Sequence, residues 1–372
     1  MKPAPGKIAL AYSVADQSFA RTKSIGILNY STGLMEALAR QTERVNLTLL
    51  ANHSLVQSLN LPPQTKVEFH DHAGDSGLGR AKWDQWGVYS AARATGADWL
   101  LLPKGFASFA RPCPLRLAVI VHDLMHEHYK RHHPGWGGKL EGLYFDASLQ
   151  ASLHRAQIVF TQSEFVKSEM EAFIRQKNYA PARVVCAGIG FTRWPSPAPA
   201  PAPRRDDLVV LASRVPHKLT PQAVEFMTRW QQETRFPGAT HWIGSFPEGL
   251  TLPRLPGWIH HPRLPEAEFR ERIQQARVVL FFSEYEGFGM PVVEAVLAGA
   301  CPVYSDIAAT REVMGGRGGP FDNANYESFA RALQQALATL PETLATWAEN
   351  LLARYNWDVV ANRVITALAE TR

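Results

Sequence analysis

The 372-residue chain has little cysteine and no long apolar run, and both absences restrict what kind of protein it is. Its three cysteines, Cys113, Cys186 and Cys301, lack metal-type spacing, which argues against a disulfide scaffold and for a reducing compartment. No apolar run approaches the roughly 18 residues that a membrane-spanning helix needs. The opening "MKPAPGKIALAYS" holds an apolar run too short for a secretory signal peptide. We therefore expect a cytoplasmic protein, soluble or peripheral on the inner face of the cytoplasmic membrane.

The net charge of +5 is unevenly distributed along the chain. Residues 1–200 carry 22 Lys and Arg against 15 Asp and Glu, a net charge of +7, and the remainder carries 17 against 19, a net charge of −2. This asymmetry indicates that the first half faces an anionic partner, such as a membrane surface, or that it carries a solvated basic face without a partner. The chain shows no nucleic-acid-binding motif and no dense Lys/Arg stripe, so nucleic acid is not an expected partner.

The length predicts two domains, because a single hydrophobic core is normally found in chains shorter than this one. The clearest boundary is the stretch "WPSPAPAPAPRRDD", in which alternating Pro and Ala favour an extended polyproline II spacer. The sequence thus predicts a first domain over 1–194, a linker over 195–205 and a second domain over 206–355.

Each half alternates short apolar runs with segments of helical periodicity. The first half has "KIALAYS", "VNLTLLAN", "WLLLP", "LRLAVIVHD", "QIVFTQS" and "RVVCAG", and the second has "LVVLASR", "ATHWIGS", "GWIHHP", "VVLFFS" and "CPVYSD". Apolar strands that alternate with helices are typical of parallel sheets covered on both faces. The predicted fold class is therefore α/β, with two Rossmann-like, doubly wound sheets that bind ligands at the carboxyl ends of their strands.

The stretch "EYEGFGMPVVEA" places two glutamates around a predicted strand-to-helix turn. Gly287 and Gly289 allow a sharp turn and a close ligand approach, and Pro291 suits the first turn of a helix. The unpaired N–H groups at that helix start favour an anion such as a diphosphate. Glu294, one turn into the helix, can accept hydrogen bonds from two vicinal hydroxyls, and Glu286 faces whatever lies beyond the diphosphate. The pattern predicts a nucleotide-sugar site; the alternative is that both glutamates cap the helix in solvent.

The longer segment "SEYEGFGMPVVEAVLAGACPVYSD" resembles the signature of the retaining, nucleotide-sugar-dependent glycosyltransferases of family 4. The resemblance implies the two-lobed GT-B fold, with a nucleotide-sugar donor in the second domain and the acceptor in the first. It covers most of the chain and is strongest over 208–314. The terminal "ARYNWDVVANRVITAL" is similar to the last helix of that family, which implies that residues 356–372 cross back to the first domain.

Other segments carry the same resemblance in the same order. "LASRVPHKLTPQAVEF" is similar to the family's Arg-x3-Lys element, which implies that Arg214 and Lys218 bind the donor diphosphate. Independently of the family, two cations after a strand end stabilise a leaving diphosphate as it gains charge. "AVIVHDLMHEHY" implies that His122 faces the donor sugar. The family's glycine pair is missing from the first glycine loop, where Gly26 is the predicted backbone contact to the donor phosphate.

Four of these residues form the predicted catalytic set, namely Glu286, Arg214, Lys218 and His122. The predicted donor-binding residues are Gly26, Gly287, Phe288, Gly289, Met290, Pro291, Val292, Glu294 and Leu264. Leu264 lies in the loop "HHPRLPEAEF" (260–269), which the resemblance places beside the nucleotide base.

No cofactor or metal is expected. The sequence offers no Asp-x-Asp pair at a strand end, and the histidine-rich "HDLMHEHYKRHH" is not completed by a recognisable ligand set. The resemblance implies transfer of a hexose to a glycan or a lipid-linked acceptor, as in bacterial surface polysaccharide or lipopolysaccharide synthesis, and we expect this transfer to be metal-independent. Two alternatives share the fold. They are a nucleotide-sugar 2-epimerase, which needs no acceptor, and a nucleotide-sugar-binding protein without catalysis.

Overall fold

The computed structural model describes residues 6–19, 24–179, 182–192 and 206–371, which form two compact units. The first unit runs to Phe191 and also contains the C-terminal segment from Tyr355 onward, and the second unit is Thr192–Arg354. The predicted linker over 195–205 lies outside the described residues. The chain thus returns to the first unit after completing the second.

The first unit is built on a sheet of seven parallel strands. They are β1 (Ile8–Ser13), β2 (Val45–Ala51), β3 (Lys66–Phe69), β4 (Trp99–Leu102), β5 (Arg116–Ile120), β6 (Ile158–Thr161) and β7 (Arg183–Cys186). Their spatial order is β3-β2-β1-β4-β5-β6-β7, so the direction of winding reverses between β1 and β4. All six residues of β1 are buried, as expected for a strand covered on both faces.

Helices connect these strands. They are α1 (Ile25–Arg40), α2 (His53–Val56), α3 (Gly77–Lys82), α4 (Val88–Ala94), α5 (Met125–His132), α6 (Lys139–Arg155) and α7 (Glu164–Gln176). Polar side chains start several of them, because the first N–H groups of a helix have no partner inside it. Asn52 accepts from Leu55 N at 2.9 Å, and Ser163 accepts from Val166 N at 3.2 Å.

The second unit contains a sheet of six parallel strands. They are β8 (Leu208–Ala212), β9 (Thr240–Gly244), β10 (Trp258–His261), β11 (Val278–Phe281), β12 (Cys301–Ser305) and β13 (Gly319–Phe321). Their order is β10-β9-β8-β11-β12-β13, and the winding reverses between β8 and β11. The register pairs Val278 with Leu208 and Leu280 with Val210, so both strands end at the same edge. The predicted pair of doubly wound parallel sheets is confirmed.

The helices of the second unit are α8 (Thr220–Thr234), α9 (Glu266–Gln275), α10 (Met290–Leu297), α11 (Ala308–Met314), α12 (Tyr326–Leu337) and α13 (Pro341–Arg354). They cover both faces of the sheet. Val210 and Leu280 pack into one apolar cluster, whereas Val209 and Val279 point to the other face and pack into a second cluster. Alternate strand residues therefore fill two apolar layers, one on each side of the sheet.

The last helix, α14 (Trp357–Glu370), packs on the first unit. Its Trp357 ring meets the Tyr30 ring edge to face at 5.4 Å, and Arg40 Nη2 lies 2.9 Å from Asp358 Oδ1. A side chain at Gly33 or Gly190 would collide with Trp357, so both positions require glycine. Among the described residues, no helix is both long and apolar enough to cross a membrane.

Candidate functional site

The strongest candidate site lies where the winding of the second sheet reverses. The loops after β8 and β11 leave neighbouring strands at the same edge, and a doubly wound sheet binds ligands in the crevice at this point. Glu284 N donates to the His217 carbonyl at 2.8 Å, which ties the two loops together. The residues predicted from the two sequence motifs of the second domain therefore meet at one place.

Lys218 and Glu286 form an ion pair in this crevice. Lys218 Nζ lies 2.5 Å from Glu286 Oε1, and both side chains are largely buried. The ammonium group also lies 4.5 Å from the centroid of the Phe281 ring. Because an aromatic face and a carboxylate both hold this cation, its position is fixed before any ligand arrives.

A hydrogen-bond network fixes the loop that carries Glu286. Ser283 Oγ donates to Glu286 Oε1 at 2.7 Å, and Ser283 N donates to Ser305 Oγ at 2.8 Å. Asn323 Nδ2 donates to the Ser283 carbonyl at 2.9 Å, and its Oδ1 accepts from Ser305 Oγ at 2.6 Å. The ends of three neighbouring strands thus hold one loop. Such support keeps a functional carboxylate in a defined geometry.

Helix α10 begins directly after this loop. Gly289 precedes it with φ of 87°, a left-handed conformation that favours glycine, and an added Cβ would lie 3.1 Å from Thr310 Cγ2. The residue that precedes the helix, Gly289, has no side chain with which to cap it, and Pro291 in its first turn has no N–H group. The helix start is therefore open to an anionic ligand, such as a phosphate group.

Glu294 lies one turn into α10 with a half-buried side chain, and its carboxyl group has no hydrogen-bond partner among the described residues. Burial raises the pKa of this carboxyl to about 7, with the nearby Arg270 guanidinium opposing the rise and the Glu266 carboxylate adding to it. A half-buried carboxyl with a raised pKa and no hydrogen-bond partner among the described residues is a group that a ligand can satisfy. Two ligand hydroxyls that donate to it would restore its ionised form.

The other predicted residues of the second unit occupy varied positions. Arg214 is exposed in the loop after β8, with no polar partner among the described residues. Phe288 and Val292 have buried side chains, so that only their backbone groups can meet a ligand. Leu264 is half-buried and packs against the apolar cluster that includes Ala295 of α10. Gly287, Met290 and Pro291 complete the turn into α10.

Gly26 and His122 belong to the first unit. Gly26 lies in the first turn of α1, and His122 follows β5 by two residues. The His122 ring is buried, with Nε2 2.7 Å from the Pro103 carbonyl and Nδ1 bonded to the Gln162 side-chain amide. Burial lowers the pKa of His122 to about 4, although the bond to Pro103 acts in the opposite direction. The imidazole is therefore neutral, with its proton on Nε2 and both nitrogens engaged.

A cavity of about 370 Å³ adjoins His122 in the first unit. Its walls are mostly apolar and aromatic, including Phe106, Phe145 and Trp136. Aromatic and apolar walls with a few polar groups are typical of small-molecule sites. His122 thus borders open space even though both of its nitrogens are bonded.

Sequence reasoning missed Ser283, Ser305 and Asn323, the residues that hold the Glu286 loop. Ser283 could have been noticed, because it directly follows the apolar run of β11. Asn323 carries no local signal, since its role depends on β12 and β13 lying beside β11. Gln162, the partner of His122, was missed for the same reason.

Comparisons with known proteins agree with this geometry. Residues 257–353 match the family "Glycosyl transferases group 1". The "O-antigen chain mannosyltransferase B" of Escherichia coli is 25% identical over 291 residues, covering 70% of this chain and 72% of the relative. The "GDP-mannose:cellobiosyl-diphosphopolyprenol alpha-mannosyltransferase" of Komagataeibacter xylinus is 35% identical over 102 residues, covering 26% of each.

A solved structure, the sucrose-phosphate synthase of Thermosynechococcus elongatus, matches the fold with a TM-score of 0.67. The match covers 98% of this chain and 99% of that chain at 15% identity, so it shows the fold alone. The architecture is the GT-B fold. Residues 257–353 match the glycosyl transferases group 1 family and the longer similarity is to a mannosyltransferase, so both comparisons support the glycosyltransferase activity that the resemblance implied.

Proposed function

We propose that this protein is a glycosyltransferase that transfers a mannosyl group, with retention of configuration, from GDP-mannose to a glycan or lipid-linked acceptor in surface polysaccharide synthesis. The observation that carries the proposal is the half-buried carboxyl of Glu294, which has no hydrogen-bond partner among the described residues and lies in the helix α10 whose start is preceded by a glycine turn. Both relatives named above are mannosyltransferases by name, and one is named for GDP-mannose and a diphosphopolyprenol acceptor. Their names support the choice of sugar, base and acceptor class.

Donor binding uses three features of the second unit. The N–H groups at the start of α10 take the diphosphate, because that end of a helix carries partial positive charge. Glu294 accepts hydrogen bonds from the ribose hydroxyls, so the ligand supplies the hydrogen-bond partners that its carboxyl lacks in the free protein. The loop that holds Leu264 lies against the same cluster as α10 and borders the nucleotide base.

Catalysis follows from charge at the leaving group. When the glycosidic bond breaks, the departing nucleoside diphosphate gains negative charge, and Arg214 and Lys218 stabilise it more strongly in the transition state than in the ground state. Glu286 holds the Lys218 ammonium at 2.5 Å and so orients it toward the crevice. With cations supplied by side chains, we propose that the reaction needs no metal ion.

The test is a transfer assay with GDP-mannose and a mannosyl-lipid acceptor, with and without EDTA. We expect a product with the α-anomeric configuration of the donor, seen by NMR, and an unchanged rate in EDTA. Glu294→Gln should weaken GDP-mannose binding by about 10- to 100-fold, since it loses charge-assisted hydrogen bonds. Lys218→Ala should lower kcat by about 100-fold. Glu225→Gln, an exposed glutamate of α8, is the matched control and should leave both values unchanged.

The same assay separates the two alternative functions. A 2-epimerase would convert the nucleotide sugar without any acceptor, and a binding protein would shift in stability with GDP-mannose but release no GDP. An inverted product, or dependence on a divalent cation, would overturn the corresponding part of the proposal.

We further propose that the first unit contacts an anionic membrane surface through the segment around the start of α6. Trp136, Leu140 and Leu143 are 45%, 84% and 65% exposed, unusually high for large apolar side chains that lie so close together in sequence. Arg131 at the end of α5 is exposed, a few residues before Trp136, and the exposed Lys130 pairs with Glu127 and Asp146. Apolar side chains flanked by cations are typical of interfacial membrane contact.

Vesicle flotation tests this contact. We expect the protein to float with vesicles that contain an anionic lipid and much less with zwitterionic ones. The double variant Leu140→Ser, Leu143→Ser should lose flotation, whereas Leu78→Ser, which removes a 68% exposed leucine of α3, should not. Equal flotation of the double variant would refute the assignment.

A further inference from the structure

Helices α8 and α10 of the second unit both begin after a left-handed residue. Gly289 precedes α10 with φ of 87°, and Leu219 precedes α8 with φ of 46° and ψ of 34°. The residue before most other described helices is extended, as Asn52 and Ser163 are. Helices α8 and α10 follow β8 and β11, the two strands between which the winding of the sheet reverses. This unusual entry into a helix is therefore found at the candidate site.

Leucine is an unexpected residue in this conformation. When φ is positive the Cβ comes close to a carbonyl oxygen, so the left-handed region disfavours residues other than glycine and, to a lesser degree, asparagine and aspartate. The other described non-glycine residues with positive φ are Asn178 and Arg235, and each follows the end of a helix, where a left-handed residue is common. Leu219 instead precedes a helix. Its conformation costs free energy and persists only because the contacts around it leave no alternative.

Hydrogen bonds fix the chain on both sides of the left-handed residue before α8. On one side the His217 carbonyl accepts from Glu284 N at 2.8 Å and from Ser283 Oγ at 3.1 Å, which holds this segment against the loop after β11. On the other side Thr220 Oγ1 donates to the Ser213 carbonyl at 2.6 Å and accepts from Ser213 N at 2.9 Å, which holds the start of α8 against the end of β8. The chain passes between these fixed points through the two residues that separate them.

The Leu219 side chain is held as well. It is half-buried and packs against the apolar cluster that contains Val210 and Leu280 of the central strands. Leu219 N donates to the Pro216 carbonyl at 3.0 Å, and the Leu219 carbonyl accepts from Ala223 N at 3.0 Å. Burial of an apolar side chain stabilises the fold, so the packing of Leu219 offsets the cost of its backbone conformation.

The conformation of residue 219 sets the position of the neighbouring Lys218. Pro216–Lys218 is a single 3₁₀ turn, and a right-handed residue after it would continue the turn directly into α8. The left-handed residue instead changes the direction of the chain, and the Lys218 ammonium lies 4.5 Å from the Phe281 ring centroid and 2.5 Å from Glu286 Oε1. Because rotation at residue 219 moves the turn relative to α8, it would also move the ammonium group away from these two partners.

We propose that Leu219 is a positioning residue, whose left-handed backbone holds the Lys218 ammonium in the crevice and whose apolar side chain holds that backbone in place. Leu219 acts on the reaction through Lys218. The part of this inference that concerns a leaving diphosphate rests on the proposed function, whereas the control of the Lys218–Glu286 pair by Leu219 does not.

Two substitutions separate the backbone conformation from the apolar packing. Leu219→Asn tolerates the left-handed conformation and loses the apolar contact. Leu219→Val keeps an apolar side chain but is branched at Cβ, so the left-handed conformation is severely strained for it. If the backbone of residue 219 positions Lys218, Leu219→Asn should leave the ion pair as in the wild type and Leu219→Val should disturb it.

The measurement is a double-mutant cycle, which needs no substrate. Lys218→Met and Glu286→Gln are combined in three backgrounds, namely the wild type, Leu219→Asn and Leu219→Val, and the stability of the second unit is read by hydrogen exchange of β11 peptides. We expect the coupling between the two substitutions to be present in the wild type, retained with Leu219→Asn and lost with Leu219→Val. Leu219→Ala, whose unbranched side chain is strained less, should lose part of it.

The matched controls are Leu337→Asn and Leu337→Val. Leu337 is a half-buried leucine of α12 that packs against the same apolar cluster and has a helical backbone. Both controls should lower the stability of the second unit and leave the coupling unchanged. In transfer assays with GDP-mannose, Leu219→Val should lower kcat by at least about tenfold with little change in KM, and Leu219→Asn should lower kcat by less than about threefold.

Coupling that is absent from the wild type, or equal in all three backgrounds, would overturn the inference. Loss of the coupling with Leu219→Asn as well as with Leu219→Val would also overturn it, because the apolar side chain alone would then hold Lys218. If the wild type transfers no mannose while the coupling follows the predicted order, the proposed function fails and the role of Leu219 stands.

Discussion

Glu294 predicts a pH dependence of stability that can be measured without any ligand. Burial raises the pKa of its carboxyl from an ordinary 4.5 to about 7. Between these pH values the folded unit retains a proton that the unfolded chain has released. Because the folded pKa is the higher one, stability falls as the pH rises through this window and becomes constant above it.

The magnitude follows from the size of the shift. One pKa unit corresponds to about 1.36 kcal/mol, so the full cost of ionising Glu294 in the folded unit is about 3 kcal/mol. Glu294→Gln keeps the shape of the side chain and cannot ionise. We expect the variant and the wild type to be equally stable near pH 4.5, and the variant to be more stable by about 3 kcal/mol at about pH 8.

Hydrogen exchange followed by mass spectrometry suits this prediction, because peptides from β11 and α10 report on the second unit alone. The exposed Glu225→Gln substitution controls for the loss of one negative charge. A stability difference between Glu294→Gln and wild type that is the same at every pH would refute the reasoning, since a pH-independent effect cannot come from titration.

Three further predictions concern single residues. Gly289→Ala should lower the free energy of unfolding by about 2–3 kcal/mol, because Gly289 has a φ of 87° and an added Cβ would approach Thr310 closely. Gly249→Ala is the control in the same denaturation experiment. It should cost about 1 kcal/mol, because Gly249 has a φ of 77° but open space around it. His122, with its pKa lowered to about 4, should stay neutral with its proton on Nε2 down to about pH 5, and ¹⁵N NMR that shows an imidazolium at pH 6 would contradict this. Lys218→Ala should leave the Glu286 carboxylate without its cation and reduce kcat far more than it changes KM, which steady-state kinetics will show.

Much of the fold could be predicted from the local pattern of apolar residues in the sequence. The buried central strands, such as β1 and β11, are apolar throughout because both faces of the sheet are covered, and this made them visible in the sequence. Of the edge strands in the described sheets, β7 and β10 were predicted, whereas β3 and β13 were not. β3 reads "KVEF" and is only partly buried, and β13 has three residues that include Gly and Pro. An edge strand has one neighbour, so its sequence is less constrained.

The candidate site was predictable where its residues are close in sequence. Glu286, Gly289 and Glu294 belong to one strand–turn–helix segment, and their relation follows from that geometry. Lys218 could be placed at a strand end, but its ion pair with Glu286 depends on β8 and β11 being neighbours. The isolation of the Glu294 carboxyl depends on what surrounds α10, which no local pattern encodes.

Gln17 was not predictable at all. Its loop reads "AYSVADQSF", with no spacing or composition that distinguishes it from an ordinary connection. Its side chain is buried, and the amide has no hydrogen-bond partner among the described residues, which becomes visible only in the packed structure. Buried polar groups of this kind depend on tertiary packing, so they are found by counting hydrogen bonds in the structure.

The central claim is that the open start of α10 and the Glu294 carboxyl bind a nucleotide sugar. Calorimetric titration of wild type and Glu294→Gln with GDP-mannose, in EDTA and in two buffers of different ionisation enthalpy, tests it directly. We predict binding to the wild type, release of a proton on binding below about pH 7, and at least about tenfold weaker binding to Glu294→Gln without proton release. Equal affinity of the two proteins, with no protons released by either, would contradict the account.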